Sequence, residues 1–168
     1  MKKISIIGSG GSGKSTLAKN LAAKLGIKVY HLDALFWKPG WVESEPALWR
    51  ATQESLCAQN EWILEGNYGN TLDVRLKHSD TIIFLDINKY LCLLRAVWRS
   101  IKYYGETRPD MAEGCKEQFD LNFAKWILDY PNSRKPKILE LLSSLPSEKK
   151  VIILRSPSDV KKFLRSME

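Results

Sequence analysis

Gly8-Ser9-Gly10-Gly11-Ser12-Gly13-Lys14-Ser15 fits the pattern G-x-x-x-x-G-K-[ST] at every fixed position. At ordinary residue usage such a match arises by chance in roughly 1% or less of chains this long, so the stretch is read as functional. Residues 2–7 before it form a short apolar, β-branched run. After it, Leu17, Leu21 and Leu25, with Ala18 and Ala22 beside them, repeat at helical spacing. Strand, glycine turn and helix are the setting in which such a loop binds phosphate. Glycines let the backbone wrap close to an anion, and N–H groups at the helix start point at it. Residues Gly8, Ser9, Gly10, Gly11, Ser12, Gly13, Lys14, Ser15 and Thr16 are therefore the expected nucleotide-binding set. Lys14 is placed to reach the β and γ phosphates and the Ser15 hydroxyl to coordinate magnesium, so ATP and Mg2+ are the expected cofactors. The G-x-G spacings also suggest a dinucleotide site, but the Lys14-Ser15 ending belongs to triphosphate sites.

Working outward, Gly26 stops the first helix and residues 27–32 supply a second strand. A helix is expected from 45 to about 59, capped by Ser44 or Glu45, with Pro46 in its first turn. Residues 62–64 read as a third strand leading into the turn-forming run 66–70. Residues 81–86 are a fourth, nearly all apolar, as befits a strand covered on both faces. Asn88 caps a helix to about residue 104, with Leu91, Leu94, Trp98 and Ile101 as its expected apolar side. Arg95, Arg99 and Lys102 form a basic ridge on the same helix. Residues 106–117 show no period and read as a mobile lid segment, followed by helical spacing of Phe119, Phe123, Trp126, Ile127 and Tyr130. Pro136 opens a helix to about 145, residues 151–154 are a fifth strand, and Ser156 with Asp159 resembles a capping box before a last helix. Alternating strands and helices give the expected fold: α/β, a three-layer P-loop NTPase architecture with a parallel five-stranded sheet and a helical lid insertion near residues 100–130. The whole chain, 1–168, is expected to be one domain.

The chain has 168 residues, 44% hydrophobic and 27% charged, an ordinary globular mix that excludes disordered and fibrous classes. Its longest apolar runs fall far short of the roughly 20 residues that span a bilayer, so no membrane partner is expected. The glycine loop interrupts the apolar run after Lys2-Lys3 too early for a signal peptide, and a cytoplasmic location is the expectation. Cys57, Cys92 and Cys115 are odd in number and widely spaced, as expected of reduced thiols rather than a metal site. The formal charge of +7 points to an anionic partner without choosing among nucleic acid, a membrane surface and a phosphorylated small molecule.

GTPases need a base-reading N-K-x-D run, whereas Asn88-Lys89 here is followed by Tyr90-Leu91 on an expected helix. The chain resembles the adenylate kinase-like group of small P-loop phosphotransferases over nearly its whole length. Glu65-Gly66 matches that group's acidic residue and glycine after the third strand, and Arg95 and Arg99 match its two arginines four apart. Closer still, four runs resemble the bacterial topology modulation (FlaR-like) family: residues 31–41, 65–68, 107–115 and 154–157. The resemblance implies that Glu65 holds magnesium through water, that Arg95 and Arg99 neutralise the transferring phosphoryl group, and that Arg155 lies in the adenine-binding loop.

Asp33 ends the second strand, and parallel sheets bind ligands outside their carboxyl edge, so it is expected to face the cleft and to orient a hydroxyl acceptor or take its proton. Lys14, Arg95, Arg99 and Asp33 form the expected catalytic set. His31 is expected to pack within its strand. Phe36, Trp37 and Trp41 form either an aromatic wall for a base or sugar, or the packing of a long surface loop. Nucleoside monophosphate kinases generally place arginines after the second strand and in the turn after the third, and neither turn has one here. The acceptor-site candidates are accordingly Asp33, Trp37, Gly66, Asn67, Tyr68, Arg75 and Arg108, and a neutral acceptor is as plausible as a nucleotide.

The leading reading is magnesium-dependent transfer of the ATP γ-phosphoryl group to a small acceptor: a nucleoside, nucleotide or other hydroxyl metabolite. The alternative is a nucleic-acid-associated ATPase or regulator affecting DNA topology, consistent with the +7 charge and six tryptophans. Against it, the basic residues form no groove-reading motif, and the tryptophans mostly fall at the helical or strand spacing of core.

Overall fold

The computed structural model describes residues 1–167. Five parallel strands, β1 (Lys3–Gly8), β2 (Val29–His31), β5 (Trp62–Glu65), β6 (Thr81–Leu85) and β7 (Lys150–Leu154), form one sheet in the order β2-β5-β1-β6-β7. A strand hemmed in on both sides and both faces must be apolar throughout, and the central β1 and its neighbours β5 and β6 are buried along nearly their whole length. Alternation divides β1 between two cores. Ile4 and Ile6 pack with Leu17 and Leu21 of α1 (Lys14–Leu25), while Ile7 faces Leu72 and Leu76 of α4 (Leu72–His78) and Ile138 and Leu142 of α7 (Lys135–Ser143). Helices thus cover both faces of the sheet, giving three layers as expected.

Around that frame lie α2 (Leu32–Phe36), a two-stranded hairpin of β3 (Trp37–Lys38) and β4 (Val42–Glu43), α3 (Pro46–Cys57), α5 (Lys89–Lys102), α6 (Leu121–Ser133) and α8 (Pro157–Arg165). Glu45, rather than Ser44, caps α3: its carboxylate accepts the Ala47 and Leu48 N–H groups. Asn88 caps α5 and Ser156 caps α8, both as expected. The second strand ends two residues after Val29, because Leu32 begins the buried start of α2. Neither α2, the hairpin nor α4 is apparent in the sequence, since each is too short to establish a period.

The expected apolar side of α5 is corrected. Its core contact is Cys92, Ala96 and Ser100, whereas Leu94, Trp98 and Ile101 are 66%, 61% and 72% exposed. Small residues win the inward face because the helix lies against the glycine loop, with the Cys92 carbonyl where a Gly11 Cβ would be. The basic ridge splits as well: Arg95 and Arg99 line the cleft, while Lys102 lies over the Trp98 and Tyr103 rings.

The segment between α5 and α6 is irregular rather than helical, and it is stitched down instead of free. Tyr104 bridges Glu117 and Thr107 bridges Lys116. The hairpin grips its far side: Gly40 N–H donates to the Gly114 carbonyl (3.2 Å), the Trp41 indole N–H to the Lys116 carbonyl (3.0 Å), and the Cys115 thiol to the Lys38 carbonyl (3.2 Å). Among the described residues, no helix is long and apolar enough to cross a membrane, and the three cysteines are free and buried.

Candidate active site

A cleft of about 780 Å3 opens at the carboxyl edge of the sheet, within the ~300–1,000 Å3 range of small-molecule sites and towards its upper end. Its floor is the glycine loop. Gly11 (φ +72°) and Gly13 (φ +97°) hold left-handed backbone that other residues adopt only at a cost, and a Cβ on Gly10 would overlap the Phe123 ring. Lys14 Nζ donates to the Ser9 carbonyl at 2.8 Å. Burial pulls the Lys14 ammonium below its usual pKa, although Glu65 and Asp33 oppose the shift. The buried Ser9 and Ser12 hydroxyls have no hydrogen-bond partner, and only the Arg95 guanidinium lies within 4 Å of a Cβ built on Gly13. A loop held in left-handed backbone, open at Gly13 and carrying orphaned hydroxyl donors, fits a polyphosphate chain.

At the far side of Lys14, the Ser15 hydroxyl donates to Glu65 Oε1 at 3.0 Å, and His31 Nδ1 lies 2.6 Å from the same oxygen. The register of β2 against β5 makes His31 and Glu65 direct neighbours, so His31 lies within its strand, as expected, and from there reaches the Glu65 carboxylate. Hydroxyl and carboxylate oxygens suit a hard cation. Among the described residues no group of three or more His, Cys, Asp or Glu gathers for a metal, which fits an ion such as Mg2+ that keeps several waters and phosphate oxygens. The lid's Asp110 also reaches this corner. Burial raises its pKa, but the Arg108 charge and the Ser15 hydroxyl outweigh that and hold it low.

Across the cleft Asp33 sits in the first turn of α2, where Tyr68 donates its hydroxyl to Asp33 Oδ1 at 2.7 Å. Burial raises the Asp33 pKa despite that bond. The Tyr68 phenol is driven far above its usual value, first by burial and then by the Asp33 charge, so it stays a donor. Phe36 packs against Trp37, Trp49 and Tyr68 with ring centroids about 5 Å apart, and Trp37 meets Trp41 at 5.5 Å. The aromatic group divides: Phe36 packs with Trp49 inside, while Trp37 and Trp41 line the cleft. Four of the six tryptophans, Trp37, Trp41, Trp98 and Trp126, line it, against the expectation that most serve the core.

The roof is an ion cluster. Glu117, 7% exposed, accepts the Ser100 hydroxyl at 3.0 Å and lies 2.6 Å from Arg108 Nε and 3.7 Å from Arg99 Nε; Arg108 Nη1 reaches Asp110 at 3.3 Å. Burial, with the Arg108 charge, pulls the Arg99 pKa down.

The structure therefore gathers Lys14, Ser15, Asp33, Trp37, Glu65, Asn67, Tyr68, Arg95, Arg99 and Arg108 around one cleft. Arg75 is placed elsewhere: wholly buried, it donates to the Gly66 and Tyr68 carbonyls (both 3.0 Å) and braces the turn that presents Asn67 and Tyr68. Gly66 lies behind that turn, its Cα against Leu32. Arg155 is 72% exposed, 4.0 Å from Asp86, and does not line the cleft. The sequence reading missed Glu117, Phe123 and Trp126 as site residues. The helical spacing of Phe119, Phe123 and Trp126 was the available signal, and it reads equally as core.

Sheet order, glycine loop and cleft together define a P-loop nucleotide-binding α/β protein. The NB-ARC domain family matches residues 1–119, and the chain belongs to that family. A search of curated protein sequences finds no significant match. Among solved structures the chain is similar to shikimate kinase from Acinetobacter baumannii in complex with shikimate (TM-score 0.63, 16% identity, covering 99% of this chain and 90% of that one). It is also similar to a gluconokinase from Sinorhizobium meliloti 1021 (TM-score 0.55, 13% identity, 99% and 89%). A third is deoxyadenosine kinase from M. mycoides (TM-score 0.54, 15% identity, 98% and 95%). At these identities the likeness is one of fold.

Proposed function

We propose that this protein is a Mg-ATP-dependent phosphotransferase that passes the γ-phosphoryl group of ATP to the hydroxyl of a small acceptor. One observation carries the reading: a half-buried carboxylate, Asp33, faces the same cleft as the glycine loop. Simple nucleotide binding needs no such group opposite the phosphates. Support also comes from the three kinases of like fold, and from the resemblance of runs 31–41, 65–68 and 107–115 to the topology modulation family, since all three border the cleft.

The loop N–H groups and Lys14 hold the β and γ phosphates, with Arg95 beside Gly13. Ser15 directly, and Glu65 through water, would hold magnesium, which when bound offsets phosphate charge. Asp33 accepts the acceptor's hydroxyl proton, and its burial-raised pKa makes it a better base than an exposed aspartate. Arg99 and Arg108 roof the site and exclude water. The test is ADP release from ATP by wild type and Lys14→Ala, alone and with pooled nucleosides, nucleoside monophosphates, small hydroxyl metabolites or DNA. Stimulation by a small-molecule pool, lost in the mutant, is the expected result. Stimulation by DNA alone would replace the reading with a nucleic-acid-linked ATPase.

A further inference from the structure

On the phosphotransferase reading, we infer that the acceptor is an uncharged nucleoside-like molecule, its planar ring seated against Trp37 and Trp41 and its hydroxyl presented to Asp33. Charge is the first argument. Five basic and five acidic side chains line the cleft. Lys14 and Arg95 belong to the triphosphate, and Arg99 and Arg108 are ion-paired with Glu117 and Asp110. Arg75, the other arginine candidate for an acceptor anion, is spent on the turn carbonyls. The fifth basic side chain of the lining, Lys19, is exposed on α1, so an acceptor carrying its own phosphate or carboxylate would approach Asp33, Glu65 and Asp110 with no guanidinium left for it among the described residues and only that solvated ammonium at the cleft.

The wall is built for a ring. Trp41 holds φ +63°, a left-handed backbone costly for a bulky side chain, and its indole N–H is anchored to the lid at Lys116. A strained residue held in place beside Trp37 marks a surface maintained for something other than packing. Asn67 supplies a polar edge: its Oδ1 accepts the Tyr130 hydroxyl at 3.3 Å, while its buried Nδ2 has no partner and the residue lines the cleft. An unpartnered amide N–H in the lining of the same cleft suits a ring with hydrogen-bond acceptors.

In the transfer the acceptor hydroxyl oxygen forms a bond to Pγ as the bond from Pγ to the β–γ bridging oxygen breaks. The hydroxyl proton passes to Asp33, ADP leaves, and the product is a phosphate monoester. The experiment measures ADP release and phosphorylated product with the wild-type protein and MgATP, offering neutral nucleosides, their 5′-monophosphates, neutral sugars and sugar acids in separate arms. Tryptophan fluorescence follows binding of the same compounds independently of turnover. Nucleosides are expected to raise ADP release at least tenfold over the basal rate and to quench the fluorescence, with the matching monophosphates at least tenfold less efficient. Trp37→Ala should raise the nucleoside KM about tenfold or more with kcat within threefold, and Trp37→Phe should restore most of it, as loss of a stacking contact requires. Preference for a monophosphate, a sugar or a sugar acid, or an unchanged KM in folded Trp37→Ala, would overturn the assignment while leaving the kinase standing. Failure of every acceptor to raise ADP release, despite ATP binding that Lys14→Ala abolishes, would remove the kinase reading and the inference with it.

Discussion

The floor and the opposite wall of the cleft solve the same problem by different means. The floor is a run of eight consecutive residues whose side chains are mostly small or absent, so on the proposed reading it is the backbone that binds. The wall is assembled from α2, the hairpin, the turn after β5, the lid and α6, and there the side chains act: Asp33, Trp37, Tyr68, Arg108 and Trp126 come from places up to 93 positions apart. A backbone site depends on a few conformations; a side-chain site depends on every element that aims it. Damage to the floor should therefore abolish turnover in a folded protein, whereas damage to the wall should reach stability and pH response.

The largest effect is expected at the roof. Glu117→Ala leaves buried Arg108 with Asp110 alone and half-buried Arg99 without its carboxylate, and should cost about 3 kcal/mol, read as a fall in the urea midpoint. Next, Lys14→Ala should lower acceptor-stimulated turnover by at least ~100-fold with an unfolding midpoint close to wild type. A large loss of stability there would break the contrast. Gly11→Ala tests the exception on the floor, because α5 presses its backbone against this glycine. It should lose about 2 kcal/mol of stability as well as nucleotide binding, seen together by denaturation and ATP titration.

The smallest change is the most diagnostic of the wall. Tyr68 lowers the Asp33 pKa by donating to it, so Tyr68→Phe lets that pKa rise further. If transfer needs ionised Asp33, activity falls as pH drops through its pKa. The acid limb of the kcat profile should then lie above the ordinary carboxylate range in wild type and move higher in Tyr68→Phe, with the plateau within about threefold. A limb that stays put would show that another group governs it.

The same division decides what could be read from the chain. Five parallel strands, the loop and its helix were legible because each is encoded locally, by an apolar run, a fixed glycine spacing or a cap such as Asn88. Asp33 was legible because the carboxyl ends of parallel strands face one way, although the strand stops two residues short of it, and Glu65 through the resemblance of Glu65-Gly66 to the small phosphotransferases. Arg75 was misjudged because its partners, the Gly66 and Tyr68 carbonyls, are fixed by how the turn after β5 folds back on α4 and leave no signal in the sequence pattern. The inner face of α5 was misjudged because hydrophobicity favoured Leu94, Trp98 and Ile101, while the side turned to the core carries Cys92 and Ala96 with Leu91 and Leu93, and Cys92 lies against Gly11.

The place of β1 in the sheet also sets a timetable. Residues Lys3–Gly8 pair with Trp62–Glu65 on one side and Thr81–Leu85 on the other, so the strand that leads into the glycine loop lacks both its neighbours until about residue 85 has been made. At 5–20 residues per second this is a wait of roughly 4–16 s, during which an apolar stretch is in the open. β1 is thus not held on both edges until β6 has been made, and over that interval the nascent chain is exposed to aggregation and to chaperones.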